Sequence, residues 1–410
     1  MTAFSYPSDL AARVETDWPA DLPPDPLAPF RRRVFEIAYQ ASMAREEERA
    51  VRLRILLAVP ADFADDDLHY LGFDRTRPYD VDELRRLSAA VPFETALVVV
   101  APDEDEELRI LGIMWSGANW LAPTWGGRGR SKLSLPRTVV HVGGPGRLAV
   151  YAGARFVASL ERGGIATLAT DVFASAWLPA LFESARAELV DEHERARDEG
   201  RASIDPSLVR TISQQMLRRA LWLMRAAHHG GMILCVEPDA VADLGSTLLR
   251  AKYAFGEGEP RRRYRTLLRR VTEVMTRGRP GIVTERDFAE ASHDLADLEA
   301  SIFEIARLLA ALSAVDGAVL MTKRFEIVGF GVEVQPGLSS PARIRRALDV
   351  DGRRTAPDHE ENVGTRHRAA YRFVHAHPKG LAIVVSQDGT VRFVVSLDDE
   401  ITYFEQHIAG

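Results

Sequence analysis

Apolar and polar positions change their period several times along the 410-residue chain, and each change marks an element. From Arg31 to Glu48, the residues Val34, Ile37, Ala38, Ala41 and Ala44 recur at helical spacing, which predicts a helix. Val51 to Val59 alternates and then turns fully apolar, as a buried strand does. Val81–Ala90 reads as a helix and Ala96–Ala101 as a central strand, with further strands over Leu108–Met114 and Arg137–Val142. These make an α/β unit that ends near residue 195. Ahead of it, Pro7, Pro19, Pro23, Pro24, Pro26 and Pro29 predict an extended lead-in over residues 1–30 that either docks or stays loose.

A charged helix from Ala174 to about Arg201 reads as a connector, so the N-terminal domain with its connector is placed at 31–200. Asp205-Pro206 opens the next helix, because aspartate caps and proline fits the first turn. It runs to about Ala227, and Met232–Val236 follows as a short buried strand. Residues 243–277 read as helical and basic, through Arg261, Arg262, Arg263, Arg265, Arg269 and Arg270. Asp294–Ala314 carries the clearest apolar stripe, with Leu298, Ile302, Ile305, Leu308, Leu309 and Leu312 on one side. Strands are expected at Ala318–Met321, Ile327–Val332, Leu381–Ser386 and Val391–Ser396. The fold class is α/β. The chain has no internal repeat and no low-complexity tract.

Composition narrows the classes. Hydrophobic residues make up 46% and charged residues 27%, which excludes a disordered chain, a collagen and a coiled-coil rod. The charge sum is 52 − 59 = −7, so no global basic field exists to hold nucleic acid. One cysteine, Cys235, excludes an intramolecular disulfide and a multi-thiolate zinc site. The N-terminus lacks a basic-then-apolar signal pattern, and no apolar run is long enough to cross a bilayer. The expectation is a cytoplasmic protein without a membrane partner.

Candidate chemistry gathers in three segments of the last hundred residues. Asp316-Gly317-Ala318 sits where the long helix turns into a strand. A carboxylate there can hold a divalent cation, and glycine lets a ligand approach the backbone. Alone, an Asp-Gly pair is more often a solvated turn. Gly364-Thr365-Arg366-His367-Arg368-Ala369-Ala370 heads a predicted helix running from Ala369 to about His375. Backbone N–H groups, a hydroxyl and two guanidinium groups make a phosphate cradle. Clustered positive charge at a helix start opposes the dipole unless an anion is bound. Val384-Val385-Ser386-Gln387-Asp388-Gly389 runs a buried strand into a turn, with Asp388-Gly389 as a hairpin signal. Each segment alone is weak, and the three in this order are not.

In this order the segments resemble the diadenylate cyclase (DAC) domain family, and His229-Gly-Gly-Met-Ile-Leu-Cys-Val236 is similar to that domain's first glycine-led strand. The likeness spans about residues 206–405 and implies a second domain there, a mixed sheet flanked by helices; Gly364–Ala370 is its most specific part. Arg45-Glu46-Glu47 with the Val51–Val59 strand, and Leu108–Ile113, resemble a probable sensor domain, DACNV, found ahead of some DAC domains.

The resemblance implies condensation of two ATP into cyclic di-AMP with release of two pyrophosphates, aided by Mg2+ or Mn2+. Asp316 would then bind metal and help activate a 3′-hydroxyl, and Gly317 and Ala318 would let the nucleotide lie on the backbone. Thr365, Arg366 and Arg368 would hold the triphosphate beside Gly364, with His367 next to metal or phosphate. Ser386 would touch phosphate, and Asp388 would contribute to the metal. It implies a homodimer or larger symmetric assembly, and an effector of unknown identity on the N-terminal domain. The chain departs from the family's Ser-Glu-Glu at the third motif, having Ser386-Gln387-Asp388. A polar insertion, Gln335–Asn362, lies between Asp316 and Arg366 and is expected to cover or reshape the site. No DNA-binding module is expected.

Trp115–Trp120 and Trp125–Arg130 read equally as a base-stacking or effector site and as a packed loop. Gly143-Gly-Pro-Gly146 lacks the lysine and hydroxyl of a P-loop and predicts a hairpin turn. His228 and His229 are adjacent and cannot share a metal from a helix end, while His375 and His377 fall near a helix C-terminus.

Overall fold

Pro7 occupies the first turn of a helix, Pro7–Asp17, where its missing N–H costs nothing. The carboxylate of Asp9 accepts from the Tyr6 amide at 2.7 Å and closes that start. Leu10 and Val14, one turn apart, are fully buried. Over Pro7–Asp17 the lead-in is therefore a packed helix and not extended, because two apolar residues at i, i+4 outweigh proline content outside the helix interior; it docks, as one of the two expectations had it. The computed structural model describes residues 4–63, 69–115, 137–153, 155–161, 163–167, 171–198, 200–291, 295–335, 337–359 and 363–406. The chain divides into two units, before and after Leu168.

The first unit is an eight-stranded sheet. Its order is Gly164–Thr167, Arg155–Glu161, Arg147–Ala152, Thr138–Gly144, Leu53–Leu57, Ala96–Pro102, Leu108–Trp115 and His69–Pro78. Only Leu53–Leu57 and Ala96–Pro102 pair in parallel. Helices Pro7–Asp17, Arg31–Ser42 and Val81–Ser88 pack with one face through Leu10, Val34, Phe35, Leu84 and the strand residues Ile55, Val98 and Val140. The helix at Arg31 ends six residues earlier than its charge run suggests. Glu47 and Glu48 take positive φ, 48° and 66°, in the hairpin between Arg45–Glu46 and Arg49–Ala50. Gly144–Gly146 closes the turn between Thr138–Gly144 and Arg147–Ala152, as expected of a hairpin. The segment 116–136, with most of the Trp/Gly stretch, lies outside the described residues.

The other face of this sheet packs Leu56, Leu97, Val99, Met114 and Val139 with Tyr151. Arg54 is fully buried in the same unit and pairs across the sheet with His141. Burial pushes the Arg54 guanidinium down to about 9, and it holds the His141 imidazole neutral. The His141 ring lies 4.2 Å from that of Tyr151.

The second unit is built on a nine-stranded mixed sheet. Its order is Leu249–Ala254, Ile327–Val334, Ala318–Thr322, Gly231–Val236, Leu381–Val385, Val391–Leu397, Glu400–Gln406, Ile344–Ala347 and Thr355–Asp358. Gly231–Val236 and Ala318–Thr322 run parallel at its centre. Helices Pro206–Ala226, Glu259–Thr276 and Ala296–Leu312 pack on one side through Leu221, Leu267 and Leu309. Helix Thr365–Ala376 packs on the other through Ala370, Tyr371, Phe373 and Val374. Trp177–Leu181 and Glu183–Ala196, read from sequence as a connector, group with this second unit. Residues 243–277 are not one helix. A short helix, Val241–Thr247, and the edge strand Leu249–Ala254 precede Glu259–Thr276. In the insertion, Ile344–Ala347 and Thr355–Asp358 extend the sheet at its far edge.

Candidate functional site

Two parallel strands end their connections on the same side of this sheet, and the helix Thr365–Ala376 starts above them. Gly364 is the N-cap, extended at φ −69° and ψ 169°, and no side chain bonds back to cap the first turn. The amides of the opening turn therefore have no intrahelical acceptor. Facing them is a cleft of about 650 Å3, lined by Asp316, Gly317, Gly364, Thr365, Arg366, His367, Ser386, Gln387 and Asp388. Segments distant in sequence, from Met232 to Arg392, thus meet in one cavity, with Met232, Val334 and Val384 as apolar wall. None of the described insertion residues 337–359 lines it.

Two expected site residues stand elsewhere. Ala318 is buried in the sheet opposite Val332. The Arg368 guanidinium donates to the Val363 carbonyl at 3.1 Å, so it braces the approach to the helix. Gly317 also has a different reason from the one expected. Its φ is +114°, and a Cβ would come within 2.6 Å of the Gly331 carbonyl carbon and 2.8 Å of the Val332 amide. The neighbouring strand demands this glycine, whatever the cleft holds.

Sequence reasoning passed over Glu333 and Arg392, and it gave Gly230 no role beyond leading a strand. Gly230, at φ +68°, leaves room for Arg366, whose Nη1 would be 2.8 Å from an added Cβ. Glu333 lines the cleft and pairs with Lys252 at 3.0 Å. Arg392 lines it too, bound to Glu405 at 3.0 and 3.2 Å. The available signal was one charged residue between apolar neighbours, in Val332-Glu333-Val334 and Val391-Arg392-Phe393.

The His367 imidazole is pushed down to about 4, first by burial and then by Arg392. It is neutral at pH 7, and its buried Nε2 has no hydrogen-bond partner. Asp388 is engaged in its own turn, accepting from the Ser386 hydroxyl and from the Thr390 amide. Among the described residues, no three His, Cys, Asp or Glu side chains group as a metal cage. Magnesium needs none, since it is held by one or two carboxylates with phosphate oxygens and water. Of the three carboxylates that line the cleft, Glu333 is paired with Lys252 and Asp388 is engaged in its turn, so Asp316 is the one that fits this pattern.

A second cleft, about 800 Å3, lies at the other ends of the parallel strands. Its Arg324 pairs with Glu188 at 2.6 Å, Lys323 with Glu237 at 2.7 Å and Arg265 with Glu192 at 2.7 Å. The arginine-rich helix Glu259–Thr276 faces this ion-pair network and not the Asp316 cleft. His377 joins it through Glu237 at 3.0 Å. No helix among the described residues is long and apolar enough to cross a membrane.

No curated protein matches this chain. Among solved structures it is similar to a hypothetical membrane spanning protein from Bacillus cereus, at 16% identity and a TM-score of 0.27. That match covers 56% of this chain and 91% of the other, and it is too distant to carry an inference. Residues 20–115, within the first unit, match the family model described as probable sensor domain DACNV.

Proposed function

We propose that the second unit is a diadenylate cyclase, condensing two ATP into cyclic di-AMP with release of two pyrophosphates, under control of the N-terminal sensor domain. One observation carries the reading: Asp316-Gly317, Gly364–His367 and Ser386 line a single cleft in the order in which they resemble the DAC domain. Phosphoryl transfer asks for positioning and positive charge more than for covalent chemistry. Arg366 and the uncapped helix start would hold the triphosphate, and Ser386 would meet a phosphate oxygen. Asp316 would hold Mg2+ or Mn2+, which supplies charge neutralisation for the phosphates when bound. With Asp388 occupied by Ser386 and Thr390, Asp316 would carry this role without it.

A second reading has an observation of its own. Gln387 lines the cleft where the family has glutamate, which suits a module that binds nucleotide without turnover. Incubating the purified full chain with ATP and Mn2+ separates the two. The cyclase reading expects cyclic di-AMP and pyrophosphate by mass. Bound ATP with neither product would leave the binding module.

A further inference from the structure

The second unit holds a further cavity, of about 40 Å3, that shares no lining residue with the Asp316 cleft. Phe182 and Leu189, from the segment Trp177–Ala196, form one wall, and Leu217, Leu268 and Phe325 form the others. Protein interiors seldom leave so much room. The neutral polar side chains on the lining are already engaged: Ser213 takes the Tyr264 hydroxyl at 3.0 Å, and Gln214 donates to the Phe173 carbonyl at 3.1 Å. The space therefore suits an apolar group better than water, which needs two to four polar partners.

The charge around it has one sign. Arg186, Arg210, Arg265, Lys323 and Arg324 border the cavity, and no carboxylate does. Four of these have acidic partners: Arg210 with Glu285 at 3.5 Å, Arg265 with Glu192 at 2.7 Å, Lys323 with Glu237 at 2.7 Å and Arg324 with Glu188 at 2.6 Å. Arg186 makes no ion pair among the described residues and donates instead to the Pro179 carbonyl at 2.6 Å. Burial pushes its guanidinium down; Glu183 offsets part of this, and the charge of Arg210 adds to it. An unmatched guanidinium beside an apolar pocket is what a carboxylate with an alkyl tail satisfies.

The backbone at this wall is strained. Phe325 takes φ +61° in the turn after Ala318–Thr322, a left-handed conformation unfavourable for a bulky residue. Its ring is nonetheless fixed, stacked on Phe182 at 5.2 Å and 5.1 Å from Tyr264. Strain of this kind persists where the surroundings over-determine it, as they do at ligand clamps.

We propose that this cavity binds a short-chain aliphatic carboxylate, with the alkyl tail among Phe182, Leu189 and Phe325 and the carboxylate on Arg186. The volume limits the tail to a few carbons. The site is separate from the cyclase reading and stands or falls without it.

Calorimetric titration of the full chain with butyrate and isovalerate is the test, with acetate lacking the tail and butanol lacking the charge. Butyrate and isovalerate should bind saturably, and acetate and butanol should not bind over the same range. Arg186→Gln should weaken butyrate about tenfold or more, the loss of one charge-assisted contact. That change also takes a donor from the Pro179 carbonyl and can loosen the fold, so Val209→Ile stands beside it. Val209 lines the cavity and is 2% exposed, and one more methyl there occupies the space of the tail. Val209→Ile should therefore lose butyrate while its melting temperature holds or rises. Failure of both carboxylates to bind, equal binding of acetate or butanol, or wild-type butyrate affinity in either folded variant overturns the site.

Discussion

His367 is neutral in the cleft at pH 7, its imidazole lowered to about 4 from an ordinary 6.5, chiefly by burial. The unfolded chain takes up this proton near pH 6.5, and the folded chain refuses it until about 4. Its contribution to stability is therefore fully present above 6.5 and lost as pH falls through that window. His141 in the first unit works in the same direction. His367→Asn should flatten part of the decline in melting temperature between pH 6.5 and 4, and an unchanged slope would show that His367 is not buried neutral. Arg366 and Arg368 part company at this scale. Arg366→Ala should cost about 1.5–3 kcal/mol of ATP binding, measured by calorimetry, as one charge-assisted donor is lost. Arg368→Ala should spare affinity and lower stability, because its guanidinium serves the Val363 carbonyl. Gly230→Ala should act like a mild Arg366 variant, since the new methyl displaces that guanidinium.

At the scale of elements, Gly317 ties the cleft to the sheet. Gly317→Ala forces a left-handed φ on a Cβ that also meets the Gly331 backbone at 2.6 Å, so a loss of about 2 kcal/mol or more is expected in denaturant melts. Elements with a clean period were legible in the sequence. The strand Leu53–Leu57, the helix Ala296–Leu312 and the helix opened by Asp205-Pro206 fall where their patterns put them. Edge strands were not. Leu249–Ala254 is exposed after its first residue, so no buried side leaves a mark, and its Arg, Lys and Ala mimic a helix. His69–Pro78 was missed for the same reason, being largely exposed along its length. The cleft was legible as three motifs, because tight turns and a helix start ask for particular residue types locally. Arg392 and Glu333 were not, since each is a single charged residue in a strand and reaches the cleft only when the sheet forms.

The whole molecule joins a unit carrying the DACNV match to one carrying the cleft. A single cleft that holds one ATP cannot make a cyclic dinucleotide alone, because each 3′-hydroxyl must meet the other nucleotide's α-phosphate. A two-fold axis between copies supplies that arrangement. Under the proposed function, turnover per subunit should fall on dilution below the dissociation constant of the assembly. Asp316→Asn mixed with Arg366→Ala subunits should not regain full activity, since every mixed pair keeps a defective half-site. Constant turnover per subunit far below that constant would rule out catalysis between copies.

The central claim is that the cleft beside Asp316 joins two ATP. Its most direct measurement is the mass-resolved product of ATP and Mn2+ incubations for wild type and Asp316→Asn, with ATP binding followed on the same samples. The account predicts cyclic di-AMP from wild type, none from Asp316→Asn, and ATP still bound by the variant. Cyclic di-AMP formed equally by Asp316→Asn, or by neither protein while both bind ATP, would contradict it.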